Sequence, residues 1–129
     1  MFEVRLGTGT IDLPYSVRLY GVTEEMYDEL LDEDTKADLL DGVLIMHSPA
    51  SLQHENLGSF VLGLMRFYAS KKSLGLVIAS GNGVVRLGRG RKISPDGFFI
   101  RKARVPNPLL KQLGGAPDLA LEVLSPSNH

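Results

Sequence analysis

The sequence predicts an α+β domain, and three observations carry that expectation. Residues 51–72 follow a helical apolar period, and Asp41-Gly42 separates two short apolar runs. Four β-rich segments, punctuated by Gly, Pro or basic turns, then fill the rest of the chain. The order helix, hairpin, helix and then strands predicts helices packed on a sheet, in an α+β arrangement or the related α/β sandwich. At 129 residues the chain is long enough for one sizeable core, so residues 1–129 read as a single domain.

Residues 1–20 alternate loosely and predict a strand or arm. "GVTEEMYDELLDEDT" predicts a short helix with Thr23 as N-cap, acids in its first turn, and Met26, Leu30 and Leu31 as an apolar stripe. In "ADLLDGVLIMHSP", Asp41-Gly42 is a hairpin turn signal. The long helix has Ser51 as its cap, Lys71 and Lys72 at its C-terminus and Gly75 as its stop. Its apolar stripe is Leu57, Phe60, Val61, Leu64, Met65 and Tyr68, with His54 on that inward face one turn into the helix and Glu55 beside it. The strands follow in "LGLVIASGN", "GVVRLG", "KISPDGFFIRK" and "PDLALEVLS".

Composition excludes several classes of protein. With no cysteine there are no disulfides and no thiolate metal sites, which fits a reducing cytoplasm. The N-terminus lacks a secretion signal, and no apolar run approaches the ~18 residues of a membrane span. Net charge is −1 but unevenly spread. Residues 1–41 hold eleven acids against Arg5, Arg18 and Lys36, whereas residues 86–111 hold eight bases against Asp96 alone. The basic stretch, with Arg86, Arg89, Arg91 and Lys92 at its head, is a candidate polyanion-binding face; the competing reading is solvated loops.

Familiar catalytic signatures are absent. "GNGVVR" opens no helix and puts Arg86 where a dinucleotide loop needs its third glycine. No serine sits in a Gly-x-Ser-x-Gly elbow. His47 and His54, seven residues apart, do not have zinc spacing on one helix. Two carboxylates stand out instead. Asp96 in "SPDG" stands at the start of the apolar strand "FFI", with a plain Pro-Asp-Gly turn as the competing reading. Glu122 sits inside "LALEVL", with an edge-strand or solvent-facing position as its competing reading. An ionised carboxylate in an apolar strand is costly unless paired or bound to a cation. The two make chemical sense together as ligands of one hard divalent ion, and Mg²⁺ commonly uses one or two carboxylates plus substrate phosphates.

"ADLLDGVLIMHSPASLQHENLGSFVLGL", "SPDGFFI" and "APDLALEVLSPS" resemble, in order and spacing, the Uma-two family of the PD-(D/E)XK restriction-endonuclease-like superfamily. The resemblance runs from about residue 20 to the C-terminus. It implies a central mixed sheet flanked by helices, Mg²⁺- or Mn²⁺-dependent hydrolysis of phosphodiester bonds in DNA or RNA, and a homodimer. It also implies that Asp96 and Glu122 are metal ligands, that Asp38 is a third acid, and that His54 matches the histidine at the start of the family's long helix. Asp118 matches a strand-entry turn.

The superfamily motif normally ends in a lysine that helps polarise the attacking water. Here Leu124 stands two residues after Glu122, and the last lysine in the chain is Lys111. Arg91 and Lys92, near Asp96 in sequence, are the candidate substitutes. The helix and strand that family members place after this motif are also missing, which implies a C-terminally truncated domain. The alternative to an active endonuclease is therefore a catalytically degenerate module that binds nucleic acid or dimerises.

Overall fold

The computed structural model describes residues 16–31, 36–47, 51–79 and 83–124. The N-terminal part of the predicted arm, the glycines of "GTGT" and the Ser-Pro-Ser stretch fall outside those residues.

Two helices and two sheets make up the described fold. β1 (Ser16–Tyr20), β2 (Ala37–Leu40), β3 (Val43–His47), β5 (Val84–Gly88), β6 (Arg91–Ile93) and β8 (Gln112–Gly114) form one sheet in the order β1-β3-β2-β6-β5-β8. It is mixed, because β5 and β8 run parallel while its other pairs are antiparallel. β4 (Gly75–Ala79), β7 (Gly97–Arg101) and β9 (Leu119–Leu121) form a second, antiparallel sheet in the order β4-β7-β9. The architecture is the restriction-endonuclease-like α+β class that the sequence predicts, with its strands divided between two sheets.

The local signals act as expected. Thr23 caps α1 (Glu24–Leu30) by accepting a hydrogen bond from the Met26 N–H at 3.1 Å. Asp41 and Gly42 join β2 to β3 with φ of 51° and 88°, the positive pair that a tight hairpin turn needs. Ser51 caps α2 (Leu52–Lys71) through the His54 N–H at 3.1 Å.

Side-chain facing departs from the expectation in both helices. In α1 the buried residue is Tyr27, fully enclosed, while Met26 is 42% exposed. The Tyr27 hydroxyl donates to the Ala37 carbonyl at 2.8 Å, so the ring can go inside with its polar end satisfied. Burial raises this phenol to about 12 and keeps it neutral. In α2 the inward residues are His54, Gly58, Val61, Leu62, Met65 and Ala69. Leu57, Phe60, Leu64 and Tyr68, predicted to point inward, are exposed instead.

The reason is close approach. A Cβ on Gly97, at the start of β7, would sit 2.3 Å from Leu62 Cδ2, and one on Gly58 would sit 3.6 Å from Val123 Cγ2. Gly58 and Ala69 therefore share the packed face of α2 with Val61, Leu62 and Met65, and Leu62 seats directly on Gly97. The Arg66 guanidinium adds a tie to β4 by donating to the Val77 carbonyl at 3.2 Å.

"KISPDGFFIRK" is two strands, not one. β6 belongs to the first sheet and β7 to the second, and the buried link Ser94-Pro95-Asp96 carries the chain between them. β9 stops at Leu121, so Glu122 lies one residue beyond the strand in which it was expected. The core forms two clusters, one between α1 and the first sheet and one shared by both sheets. Tyr27, Leu39 and Leu44 centre one cluster, while Val85, Phe98 and Ile100 centre the other. Among the described residues, no helix is long and apolar enough to cross a membrane.

Candidate active site

The strand register brings the two predicted carboxylates together. β7 and β9 pair antiparallel with Gly97 opposite Leu121, so the next residues outward, Asp96 and Glu122, stand opposite each other where the ladder ends. The β6–β7 link holds Asp96 in place, with the residue only 5% exposed. One oxygen, Oδ2, accepts the Val123 N–H at 2.6 Å. The other, Oδ1, accepts from the Lys36 ammonium at 2.5 Å. Burial alone would raise the Asp96 carboxyl, but Lys36 and the Val123 N–H outweigh it and hold the group below the usual carboxylate value.

Glu122 is driven the other way. Burial of its carboxyl raises it to about 7; Lys36 opposes the shift, while Asp96 and Asp38 add to it by charge repulsion. The residue as a whole keeps exposed surface. The two facing carboxyls are thus split, one ionised and one half-protonated near neutrality. Split carboxyls of this kind mark acid–base and metal sites. Asp38, on β2, completes the acidic cluster. Burial raises its carboxyl, and Oδ1 accepts the Ser94 N–H at 2.9 Å, which ties β2 to the β6–β7 link.

His54 projects from the first turn of α2 into the same corner. Its Nε2–H donates to the Val123 carbonyl at 3.0 Å, which fixes the tautomer, and Asp96 Oδ2 lies 3.5 Å from the same nitrogen. Nδ1 is buried with no hydrogen-bond partner among the described residues. His54 and Asp96 line one end of a cleft of about 250 Å³ that runs along α2 past Ser59, Leu62 and Arg66.

Lys36 and Arg66 were not singled out from the sequence. Lys36 reaches Asp96 across 60 positions, so no local motif marks it. Arg66 could have been suspected as a cation in the middle of a mostly apolar stretch of the helix.

The predicted basic face is largely matched by internal acids. Arg86 meets Glu24 at 2.7 and 3.2 Å, and Arg91 meets Asp41 at 3.2 and 3.1 Å, each through two donors. These pairs hold Glu24 near 2 and Asp41 below its ordinary value. Lys92 does not serve as a surface contact. It is 4% exposed, bound to Asp28 at 2.8 Å, and lies over the Tyr27 ring. Arg89 is exposed. Arg91 and Lys92 pair with Asp41 and Asp28, and the cation on Asp96 is Lys36. Asp118 behaves as the strand-entry turn predicted for it, binding the Arg101 N–H and the Arg104 guanidinium at 2.8 Å each.

The donor set fits a hard divalent cation. Two carboxyls face each other, a third lies close by, and the charge that Glu122 resists carrying is one that such a cation would offset. Among the described residues no three His, Asp or Glu groups converge into a finished cage. Coordination here would rest on two carboxylates, water and phosphate oxygens, the arrangement Mg²⁺ favours.

A mixed α+β fold with paired carboxylates at a strand end is the architecture of a nuclease-like domain. A family model described as "Putative restriction endonuclease" matches residues 24–129, and the chain belongs to that family, Uma2. A search of the curated proteins finds no match.

Proposed function

We propose that this domain is a metal-dependent endonuclease acting on DNA, with Mg²⁺ or Mn²⁺ held by Asp96 and Glu122. The observation that carries the reading is that Asp96, which lines the α2 cleft, and Glu122 stand opposite each other just beyond the last β7–β9 pair. An ion bound there supplies Lewis-acid chemistry, lowering the pKa of a water and offsetting phosphate charge. The chain's own groups do the rest. Asp96 stays ionised through its Val123 N–H bond and orients one carboxylate oxygen toward the site. Asp38 is the third acid, fixed by Ser94 and able to orient a water. His54 holds the Val123 carbonyl, so residues 122 and 123 keep their register against Asp96, and its Nδ1 lone pair can accept a proton or a water hydrogen.

The DNA backbone would run along the cleft to Arg66, with Arg89 and the exposed edges of Arg86 and Arg91 as outer phosphate contacts. Such contacts position the duplex without reading sequence. We place the protein in the cytoplasm on the strength of its lack of cysteine.

A homodimer is supported by the outer face of α2. Leu57, Phe60, Leu64 and Phe67 are 51%, 64%, 56% and 67% exposed and repeat at alternating spacings of three and four, the 3.5-residue period of a helix–helix seam. Two antiparallel copies would stack Leu57 on Phe67 and Phe60 on Leu64, with Gln53 opposite Lys71 at each end.

A non-catalytic nucleic-acid-binding module is the second reading, favoured by Leu124 at the motif-lysine position. Incubating supercoiled plasmid with the protein and Mg²⁺ or Mn²⁺ separates the two. An endonuclease gives nicked circles that disappear with EDTA and in Asp96→Ala and Glu122→Ala. Salt-sensitive retention of DNA without any cleavage would favour the module, and an RNA substrate cut in its place would change the substrate assignment.

A further inference from the structure

Among the site's groups, Lys36 is the one the sequence-based roles leave out. It stands one residue before β2, next to the fully buried Ala37, so its backbone is anchored at the strand edge. Its side chain is 38% exposed while that of Asp96 is 8% exposed, so the ammonium enters the site from the solvent side and rests on a buried oxygen. The two oxygens of Asp96 are not equivalent. Oδ2 is committed to the Val123 N–H, with the His54 ring 3.5 Å away. Oδ1 is free of backbone donors, and Lys36 occupies it.

A divalent ion on Oδ1 would sit roughly 2.0–2.1 Å from it. An ammonium at 2.5 Å from the same oxygen would then lie close enough to that ion for strong repulsion between like charges. Both cannot stay. Four methylenes let the ammonium swing away while the strand edge holds its Cα, so it would remain within reach of a phosphate bound at the same ion.

We propose that Lys36 is the site's exchangeable counter-cation, resident on Asp96 Oδ1 in the metal-free protein and displaced from it when a divalent metal binds. This rests on the metal-site reading above. It brings a cation to the site from a residue 60 positions away in the chain. It also explains how a buried Asp96 beside two other acids stays folded without a metal: Lys36 opposes charge repulsion at Asp38, Asp96 and Glu122 alike.

The test is Mn²⁺ titration calorimetry on the whole chain. Wild type is compared with Lys36→Met, Lys36→Arg and Asp96→Asn, each first shown by circular dichroism to be folded. Removing a competing ammonium from a partly buried pair predicts Mn²⁺ binding on the order of 3–10-fold tighter in Lys36→Met. Lys36→Arg, which keeps the charge, should bind at or below wild-type affinity, and Asp96→Asn should lose the site. In EDTA, Lys36→Met should melt below wild type, and saturating Mn²⁺ should close that gap. Unchanged or weaker Mn²⁺ affinity in Lys36→Met, with Asp96→Asn still defective, overturns the role of Lys36 alone. Wild-type affinity in Asp96→Asn overturns the metal site itself, and the exchange with it.

Discussion

Replacing Glu122 by Gln tests the electrostatics of the site without requiring catalysis. In the folded protein the Glu122 carboxyl is raised from an ordinary 4.5 to about 7, first by burial and then by Asp96 and Asp38. An acid raised on folding stabilises the protein only while it is protonated. The unfolded chain gives up this proton first, so stability is lost as pH rises from about 4.5 through about 7. Taken at face value the shift would amount to roughly 3 kcal/mol at pH 8. Glu122 is more than a third exposed, and solvent screening reduces that to about 1 kcal/mol.

Gln keeps the shape and cannot ionise. In EDTA, Glu122→Gln should melt close to wild type near pH 4.5 and roughly 3–5 °C above it at pH 8. Measuring the difference between the two proteins cancels the other titrating groups. In saturating Mn²⁺ the order should invert, because only wild type gains the ligand. A difference that is constant from pH 4.5 to 8 would refute the assigned environment of Glu122.

Other consequences follow from the packing around the site. Gly97→Ala would put a methyl 2.3 Å from Leu62 Cδ2, so α2 or Leu62 must shift. Chemical denaturation should show a loss of about 1–3 kcal/mol together with reduced metal affinity. Tyr27→Phe removes the hydrogen bond to the Ala37 carbonyl and leaves that buried acceptor unpaired, a loss of about 1–2 kcal/mol by the same assay. Phe60→Glu should turn a dimer into a monomer in light scattering without changing the helix content. A wild type that is monomeric at high concentration would remove the α2 seam.

Much of this fold is written locally in the chain. Thr23, Ser51 and Asp41-Gly42 each set a backbone feature through contacts within a few residues, and all three act as their chemistry dictates. The closeness of Asp96 and Glu122 was also legible, because each borders an apolar strand, although Glu122 lies just past β9 and not within it. The facing of α2 was not. Both sides of that helix carry apolar residues, and the period alone favours the bulky side, whereas the folded helix turns Gly58, Val61, Leu62, Met65 and Ala69 inward, with Leu62 seated on Gly97 of β7. The uneven charge of the chain was visible but its meaning was not. Glu24, Asp28 and Asp41 from the acidic half neutralise Arg86, Lys92 and Arg91 from the basic half across the fold. Lys36 was hidden for the same reason, since only the folded chain brings residues 36 and 96 into contact.

The central claim, a divalent-metal site built on Asp96 and Glu122, is tested most directly by locating the ion. Crystals grown with Mn²⁺ should show one anomalous peak roughly 2.0–2.2 Å from an oxygen of each carboxylate, with the Lys36 ammonium no longer on Asp96. Saturating Mn²⁺ that leaves the pair without a peak, or that places the ion only on other carboxylates, would contradict it.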